Sequence, residues 1–479
     1  MAKRDLIPFG LGLLAGLGQA PLGIWGATVI ALAVWLAMAP ASLKSAFRSG
    51  WLFGAGYFAV SLHWIVSPFL VDLASTGWMA PFAVILMAGG AAVFWGAAGY
   101  LAYRISPDSL ALRGAMLAGA EVLRSFIFTG FPWALIGHIW IDTPLAQVAA
   151  FGGPHVLSFV TVVLAVALVL VWRRVWWALV MPVMAVAGWI LLAAGPVLDY
   201  DGPLVRLVQP NAPQSEKWDP AKSPLVFARM IEFTQSAPQP DLVVWPETAI
   251  TYLMEFADPE LTQLADAASG APVIVGINRR GGERFYNAAL VLERGAIVSD
   301  VYDKAHIVPF GEFIPGGELL TYLGIDAFAA SKGGAFTAGE GARLVDVTGI
   351  GLARILICYE GIFANEVHTD DRARMLILIT NDAWFGPAAG PQQHLAQARV
   401  RAIEQGLPMV RVANTGVTAM IDAKGRVIEQ IGMGQAGFID VALPPALALT
   451  VYARFGDWPA LALFLVVFGM IVGRRKVMG

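Results

Sequence analysis

The chain has a single cysteine, Cys358, in 479 residues. That excludes an intramolecular disulfide and any metal centre built from several thiolates, so packing or chemistry must account for the thiol. Charge is also scarce: Asp, Glu, Lys and Arg make up 14% of the chain, against 57% hydrophobic residues. The net charge of -3 says nothing about partners, and the sequence has no basic stripe suited to a nucleic acid. Before Asp199 the only acids are Asp5, Asp72, Asp108, Glu121 and Asp142, whereas Asp and Glu are frequent from there to about residue 440. No internal repeat is present. The uneven placement of charge predicts two media, a membrane domain followed by a water-soluble one, with one last apolar segment at the end.

Apolar stretches of spanning length fall at residues 22–38, 49–67, 78–102, 112–129, 152–172, 175–195 and 457–473, with a shorter one at 6–19. These predict about eight spans. Lys3 and Arg4 before the first stretch imitate a signal peptide, but Pro21 and another apolar run follow at once, so the pair reads as an uncleaved helical hairpin. Basic residues cluster on alternate junctions: Lys3 and Arg4, Lys44 and Arg48, Arg104 and Arg113, Arg173 and Arg174, then Arg474, Arg475 and Lys476. The positive-inside rule then predicts cytoplasmic termini, with the hydrophilic block on the outer, periplasmic side of a bacterial inner membrane. The expected division is a membrane domain over 1–200, a catalytic domain over 201–447 and a final span with its tail over 448–479.

The hydrophilic block alternates apolar runs with helical patterns. Strands are predicted at 204–208, 242–245, 273–277, 288–292, 352–358, 376–380, 409–413 and 417–421, and helices at 222–236, 258–269, 361–372 and 390–406. Between Pro315 and Gly341 the chain is rich in glycine and in large apolar residues such as Leu319, Leu320, Tyr322, Leu323, Phe328 and Phe336. That composition leaves two readings, a covered loop or a mobile lid that touches the bilayer and admits a lipid chain.

Three residues of complementary chemistry stand just beyond apolar runs: Glu247 in Trp245-Pro246-Glu247, Lys304 in Tyr302-Asp303-Lys304, and Cys358 in Cys358-Tyr359-Glu360. Strand ends in α/β sheets hold catalytic groups rigidly while leaving them open to substrate. Glu247 can take the thiol proton, since only the thiolate is a competent nucleophile. Lys304 can stabilise both that thiolate and the oxyanion formed on attack at a carbonyl. The set calls for no metal and no organic cofactor. Arg124 lies inside the fifth apolar stretch, three residues after Glu121, where an unpaired charge is expensive; an ion pair and a phosphate-binding role for lipid head groups both fit.

These three segments, with Pro309-Phe310-Gly311-Glu312-Phe313-Ile314-Pro315, resemble the nitrilase superfamily. Apolar spans on both sides make the whole chain similar to the bacterial apolipoprotein N-acyltransferases. Further matching stretches are Val208 to Trp218, Phe128 to Trp133, Asn381 to Gly386, Gly390 to His394, Asn414 to Ala419 and Gly456 to Pro459.

The resemblance implies an α/β nitrilase-like αββα sandwich beside the helical membrane domain. It places the family's catalytic Glu, Lys and Cys on Glu247, Lys304 and Cys358. Glu312 becomes the second carboxylate, Tyr359 and Glu360 support the site, and Trp218, Trp384 and Asn381 face substrate. By type alone, Trp218 and Trp384 could equally be packing residues. The implied partners are a phospholipid acyl donor, a diacylated apolipoprotein acceptor and membrane lipids. The implied reaction passes the sn-1 acyl chain through a Cys thioester to the acceptor's α-amine. A membrane-tethered amidase, a Cys-His hydrolase using His306 or His394, and a non-catalytic lipoprotein-binding scaffold are the competing expectations.

Overall fold

The computed structural model describes residues 3–193, 200–313, 336–369 and 371–478, with the side chains of 3–5 and 474–478 excepted. Most of the segment read as a lid, including Leu319, Leu320, Tyr322, Leu323 and Phe328, lies outside the described residues. The chain divides into a helical unit, residues 1–197, 388–405 and 449–479, and a sheet unit, residues 198–387 and 406–448.

In the helical unit, helices Lys3–Gly16 and Trp25–Ala37 form the expected hairpin, followed by Leu43–Ser61, Ala80–Ile105, Leu110–Arg124, Ala149–Trp172, Val180–Leu192 and Trp458–Met478. Glycines let these helices touch backbone to backbone. A Cβ added at Gly12 would lie 2.0 Å from the Phe53 carbonyl oxygen, and one at Gly56 would lie 2.2 Å from that of Phe9. Small residues are how apolar helices approach closely where no hydrophobic effect drives them together. Helix Val180–Leu192 is apolar throughout and buries no residue, which calls for a surround other than water.

Among the described residues, fewer helices than the eight expected are by themselves long and apolar enough to span. By length and composition, Leu73–Ile105 and Pro144–Trp172 can cross a membrane, and Leu43–Ser61 with His63–Leu70, bent by 63°, would make a third. Leu6–Gly16, Trp25–Ala37, Trp176–Leu192 and Trp458–Gly473 are apolar but shorter. The stretch at 112–129 differs most: its helix stops at Arg124, and Phe128, Thr129 and Gly130 turn the chain back with positive φ.

Arg124 explains that stop. Its Nη1 donates to the carbonyls of Phe131, at 2.5 Å, and Trp133, at 2.9 Å, while Nη2 meets Glu121 at 3.2 Å and the guanidinium lies over the Phe58 ring. Glu121 also accepts from Trp95 Nε1 and the Ile136 amide, both at 2.9 Å. Both charges are buried, and the ion pair is the alternative this geometry supports over a head-group site. Removing one member of a buried pair strands the other charge, so Arg124→Met should destabilise the folded protein by about 3–5 kcal/mol. Thermal unfolding in detergent checks this; unchanged stability with a raised KM for phospholipid would favour the head-group role.

In the sheet unit, the strands are β1 Leu204–Gln209, β2 Leu242–Val244, β3 Ile250–Leu253, β4 Val273–Gly281, β5 Arg284–Glu293, β6 Ile297–Asp303, β7 Leu344–Val347, β8 Gly351–Ile357, β9 Met375–Thr380, β10 Met409–Ala413, β11 Thr418–Ile421, β12 Val427–Ile431 and β13 Gly437–Ala442. One sheet runs β13-β1-β2-β4-β5-β6, with β3 added beside β4, and the other runs β12-β11-β10-β9-β8-β7. Parallel pairing occupies the centres, β1 with β2 and β2 with β4 in one sheet, β8 with β9 and β9 with β10 in the other. Strands buried on both faces become unbroken apolar runs, as in β9, where all six residues are buried.

The pleat divides the core. Val205, Leu207, Val244 and Ile274 meet Ile355, Ile357, Ile377 and Val410 of the other sheet. Val208, Val243, Val273 and Val275 instead share a cluster with Met230 and Ile231 of helix Ser223–Gln235 and with Leu261 and Leu264 of helix Asp258–Ala267.

Two helix expectations differ. The described residues of 361–372 form only short turns, because the Glu366 side chain is taken by His306 and its carbonyl by Arg354 Nη2, at 2.7 and 2.9 Å. Helix Gly390–Gln405 exists but groups with the helical unit rather than with 201–447. Gln393 is the reason: its side chain accepts from the indoles of Trp64 and Trp133 and donates to the carbonyls of Ala20 and Ser61.

Candidate active site

Glu247, Lys304 and Cys358 follow β2, β6 and β8, and the sheet unit brings all three together. Glu247 is buried and gripped from both sides: Oε1 accepts from Asn287 Nδ2 and Oε2 from the Asn381 amide, each at 2.7 Å. Its loop crosses β4 at Gly276, where an added Cβ would lie 2.5 Å from the Pro246 oxygen and 2.6 Å from the Glu247 Cα. Only a glycine allows that crossing.

Lys304 Nζ lies 2.9 Å from Glu312 Oε1 and 3.9 Å from Glu247 Oε1. Glu312 is fixed through Oε2, which accepts from the Val308 amide at 2.7 Å. Burial opposes the charge on Lys304, but Glu312, Glu247 and Cys358 outweigh it, so the ammonium is held above the ordinary lysine range. With three donors on Nζ, a lysine in this position can serve both carboxylates and still reach an oxyanion.

Cys358 is buried and has φ +52°, an unusual conformation for a residue other than glycine, which marks a sharp turn at the end of β8. Burial and the Glu247 carboxylate push the thiol up, against Lys304 and a hydrogen bond with Thr380. A thiol in this state needs a base at hand to become a nucleophile. The turn is pinned by Glu360. Its carboxylate accepts from the amides of Ile357 and Ala305 at 2.7 Å, from the His306 amide at 3.3 Å and from the Tyr302 hydroxyl at 2.8 Å. One side chain thus ties the Cys358 turn to the Lys304 loop, so Glu360 acts on backbone. Tyr359 is buried edge-on to Phe363.

The remaining candidates separate. Trp218 and Trp384 are exposed, at 48% and 37%, as a substrate-facing role requires. Asn381 is buried; its amide serves Glu247, and its side chain joins Gln214 and Asn414 at 2.9 Å. Its contacts are thus with Glu247 and the neighbouring amides. Arg124 belongs to the helical unit and its own ion pair. His306 hydrogen-bonds Glu366 and stacks on Phe363, partners other than Cys358, while His394 stacks on Trp133. Asn287, Gly276 and Thr380 escaped sequence reasoning, since polar or glycine residues within apolar segments carry no pattern of their own, and Lys217 escaped it as one charge in a polar segment.

Residues 204–451 match the family described as carbon-nitrogen hydrolase, and residues 11–167 match the apolipoprotein N-acyltransferase N-terminal domain. Apolipoprotein N-acyltransferase of Brucella melitensis is 37% identical over 92% of this chain and 90% of its own length. That of Rhodopseudomonas palustris is 34% identical over 100% and 96%. The chain belongs to the apolipoprotein N-acyltransferase family. It is an acyltransferase of lipoprotein biosynthesis, a membrane protein whose substrates are lipoproteins and lipids. That of Caulobacter vibrioides is 36% identical over 91% of this chain. A CN-hydrolase superfamily protein from Xanthomonas campestris aligns at 20% identity and a TM-score of 0.38, covering 55% of this chain and 97% of its own.

Proposed function

We propose that the protein moves the sn-1 acyl chain of a phospholipid onto the α-amine of an S-diacylglyceryl-cysteine at the N-terminus of an apolipoprotein, through a thioester on Cys358. Glu247 removes the thiol proton. The sulfur attacks the ester carbonyl, and Lys304 with a backbone N–H near Tyr359 holds the tetrahedral oxyanion. As the oxyanion collapses, the C–O bond breaks and the glycerol oxygen takes the proton from Glu247, leaving as a lysophospholipid. The acceptor amine then attacks the thioester, gives its proton to Glu247 and releases the thiol. A thioester suits this exchange because it is less resonance-stabilised than an oxygen ester, and a dry pocket keeps water from competing.

The observation that carries the reading is the packing of one thiol, one ammonium and two carboxylates, with Lys304 Nζ 2.9 Å from Glu312 and 3.9 Å from Glu247. Trp218 and Trp384 line the substrate side, and Glu312, Glu360, Tyr359 and Asn381 support the set. Up to eight apolar helices cross the bacterial inner membrane, with both termini cytoplasmic and the sheet unit periplasmic, as the alternation of basic junctions supports.

The test incubates full-length protein in detergent with a phospholipid labelled in its sn-1 chain and a diacylated N-terminal peptide. Label in an amide on the peptide, with lysophospholipid formed in equal amount, is the expected result. Release of free fatty acid with no peptide product would favour the tethered hydrolase.

A further inference from the structure

Lys217 stands one residue before Trp218, in the segment after β1, and is 5% exposed. Its Nζ donates to the backbone carbonyl of Glu247 at 3.1 Å, and among the described residues that is its one hydrogen bond. An ammonium carries three donors and is costly to bury with so few partners. It also borders a cavity lined by Ala212, Ser223, Met230, Glu247, Thr251 and Asn414. Among the described residues Glu247 is the only carboxylate on that lining. Ser223 is occupied with Thr251 at 2.7 Å, and Arg229 of the same helix is engaged with the Pro210 carbonyl at 2.8 Å. The next residue after Glu247, Thr248, has φ +47°, so the carbonyl that Lys217 holds belongs to a strained turn.

We propose that Lys217 is a positioning residue of acyl transfer, a second cation that fixes the Glu247 turn from behind and, while charged, favours the thiolate of Cys358 together with Lys304. This rests on the reading of Glu247 and Cys358 given above. Burial lowers Lys217 to about 8, against the opposing pull of Glu247 and Cys358. The sign follows: below that pH the ammonium is present and supports the thiolate. As pH rises through it the charge is lost, so acyl-enzyme formation should decline on the alkaline side.

The experiment measures the rate of hydroxylamine-sensitive acyl-adduct formation from phospholipid between pH 6 and 10 for the full-length wild type, Lys217→Met and Lys217→Arg, with thermal unfolding as the folding control. Expected for Lys217→Met are a rate loss on the order of 10-fold or more at neutral pH with KM unchanged and no alkaline decline near pH 8. Lys217→Arg, which stays charged, should recover rate and extend the plateau to higher pH. A folded Lys217→Met that keeps the wild-type rate, or keeps the same alkaline limb, would overturn the proposal. If Lys217→Met fails to fold, Lys217→Arg with an unshifted alkaline limb does the same. No adduct in the wild type would instead remove the thioester reading itself, and the proposal with it.

Discussion

Replacing Glu247 by Gln should lower the rate of acyl-enzyme formation by about 10²–10⁴-fold, the range that a positioned proton acceptor contributes, while leaving the fold intact. The amide has the shape of the carboxylate, and one of its polar atoms can still accept from Asn287 or from the Asn381 amide, both now at 2.7 Å. The other must face a donor with a donor, at a cost of about 1–3 kcal/mol for the unsatisfied group. The loss therefore concerns the base. Burial raises the Cys358 thiol most and the Glu247 charge adds to it, so the variant's thiol should react somewhat more readily with an alkylating reagent at high pH, although it transfers poorly. Stopped incubations with phospholipid, read by intact mass, give the rate, and a Glu247→Gln protein with wild-type acylation would exclude Glu247 as the base.

The second large effect is expected from a residue with no chemistry of its own. At Gly276, a Cβ would meet Pro246 O and Thr248 N at 2.5 Å and Glu247 Cα at 2.6 Å, all of them backbone or fixed to it. Gly276→Ala must therefore push the Glu247 turn away from β4. A displacement on the order of 1 Å costs about 10²-fold in rate when a reacting group is misplaced. Gly437→Ala in β13 is the matched control, since a Cβ there meets nothing within 4 Å. Comparable rates for the two variants in the acylation assay would show that the turn tolerates movement and that the crossing does not fix Glu247.

Much of the sheet unit is legible from hydrophobic runs. The centres of both sheets are buried on two faces, so β2, β4, β8, β9 and β10 are short apolar blocks that pattern reading finds to within a few residues. The strands it does not find are peripheral: β3, β6, β7, β12 and β13, whose polar residues such as Asp300, Asp346, Glu429 and Asp440 interrupt the run. Glu247, Lys304 and Cys358 are legible for the same reason as the central strands, since each follows an apolar run and their chemistry is complementary.

What sequence could not show is how these groups are held. Asn287 lies inside β5 and Glu360 beside the nucleophile, and their partners are set by pairing between strands distant in sequence. Membrane reading erred in a related way at 112–129, where composition could not reveal that Arg124 collects two carbonyls of the returning chain. Helix Gly390–Gln405 shows that sequence neighbourhood does not decide which unit a segment joins, because Gln393 finds its partners near residues 20, 61, 64 and 133.

The central claim is that Cys358 carries the acyl group. Intact-mass spectrometry of the purified full-length protein after incubation with phospholipid, with and without hydroxylamine and beside Cys358→Ala, tests it most directly. The expected result is an acyl-sized mass gain in the wild type that hydroxylamine removes and that Cys358→Ala never shows. An adduct that persists in folded Cys358→Ala, or its complete absence from an active wild type, would contradict the account.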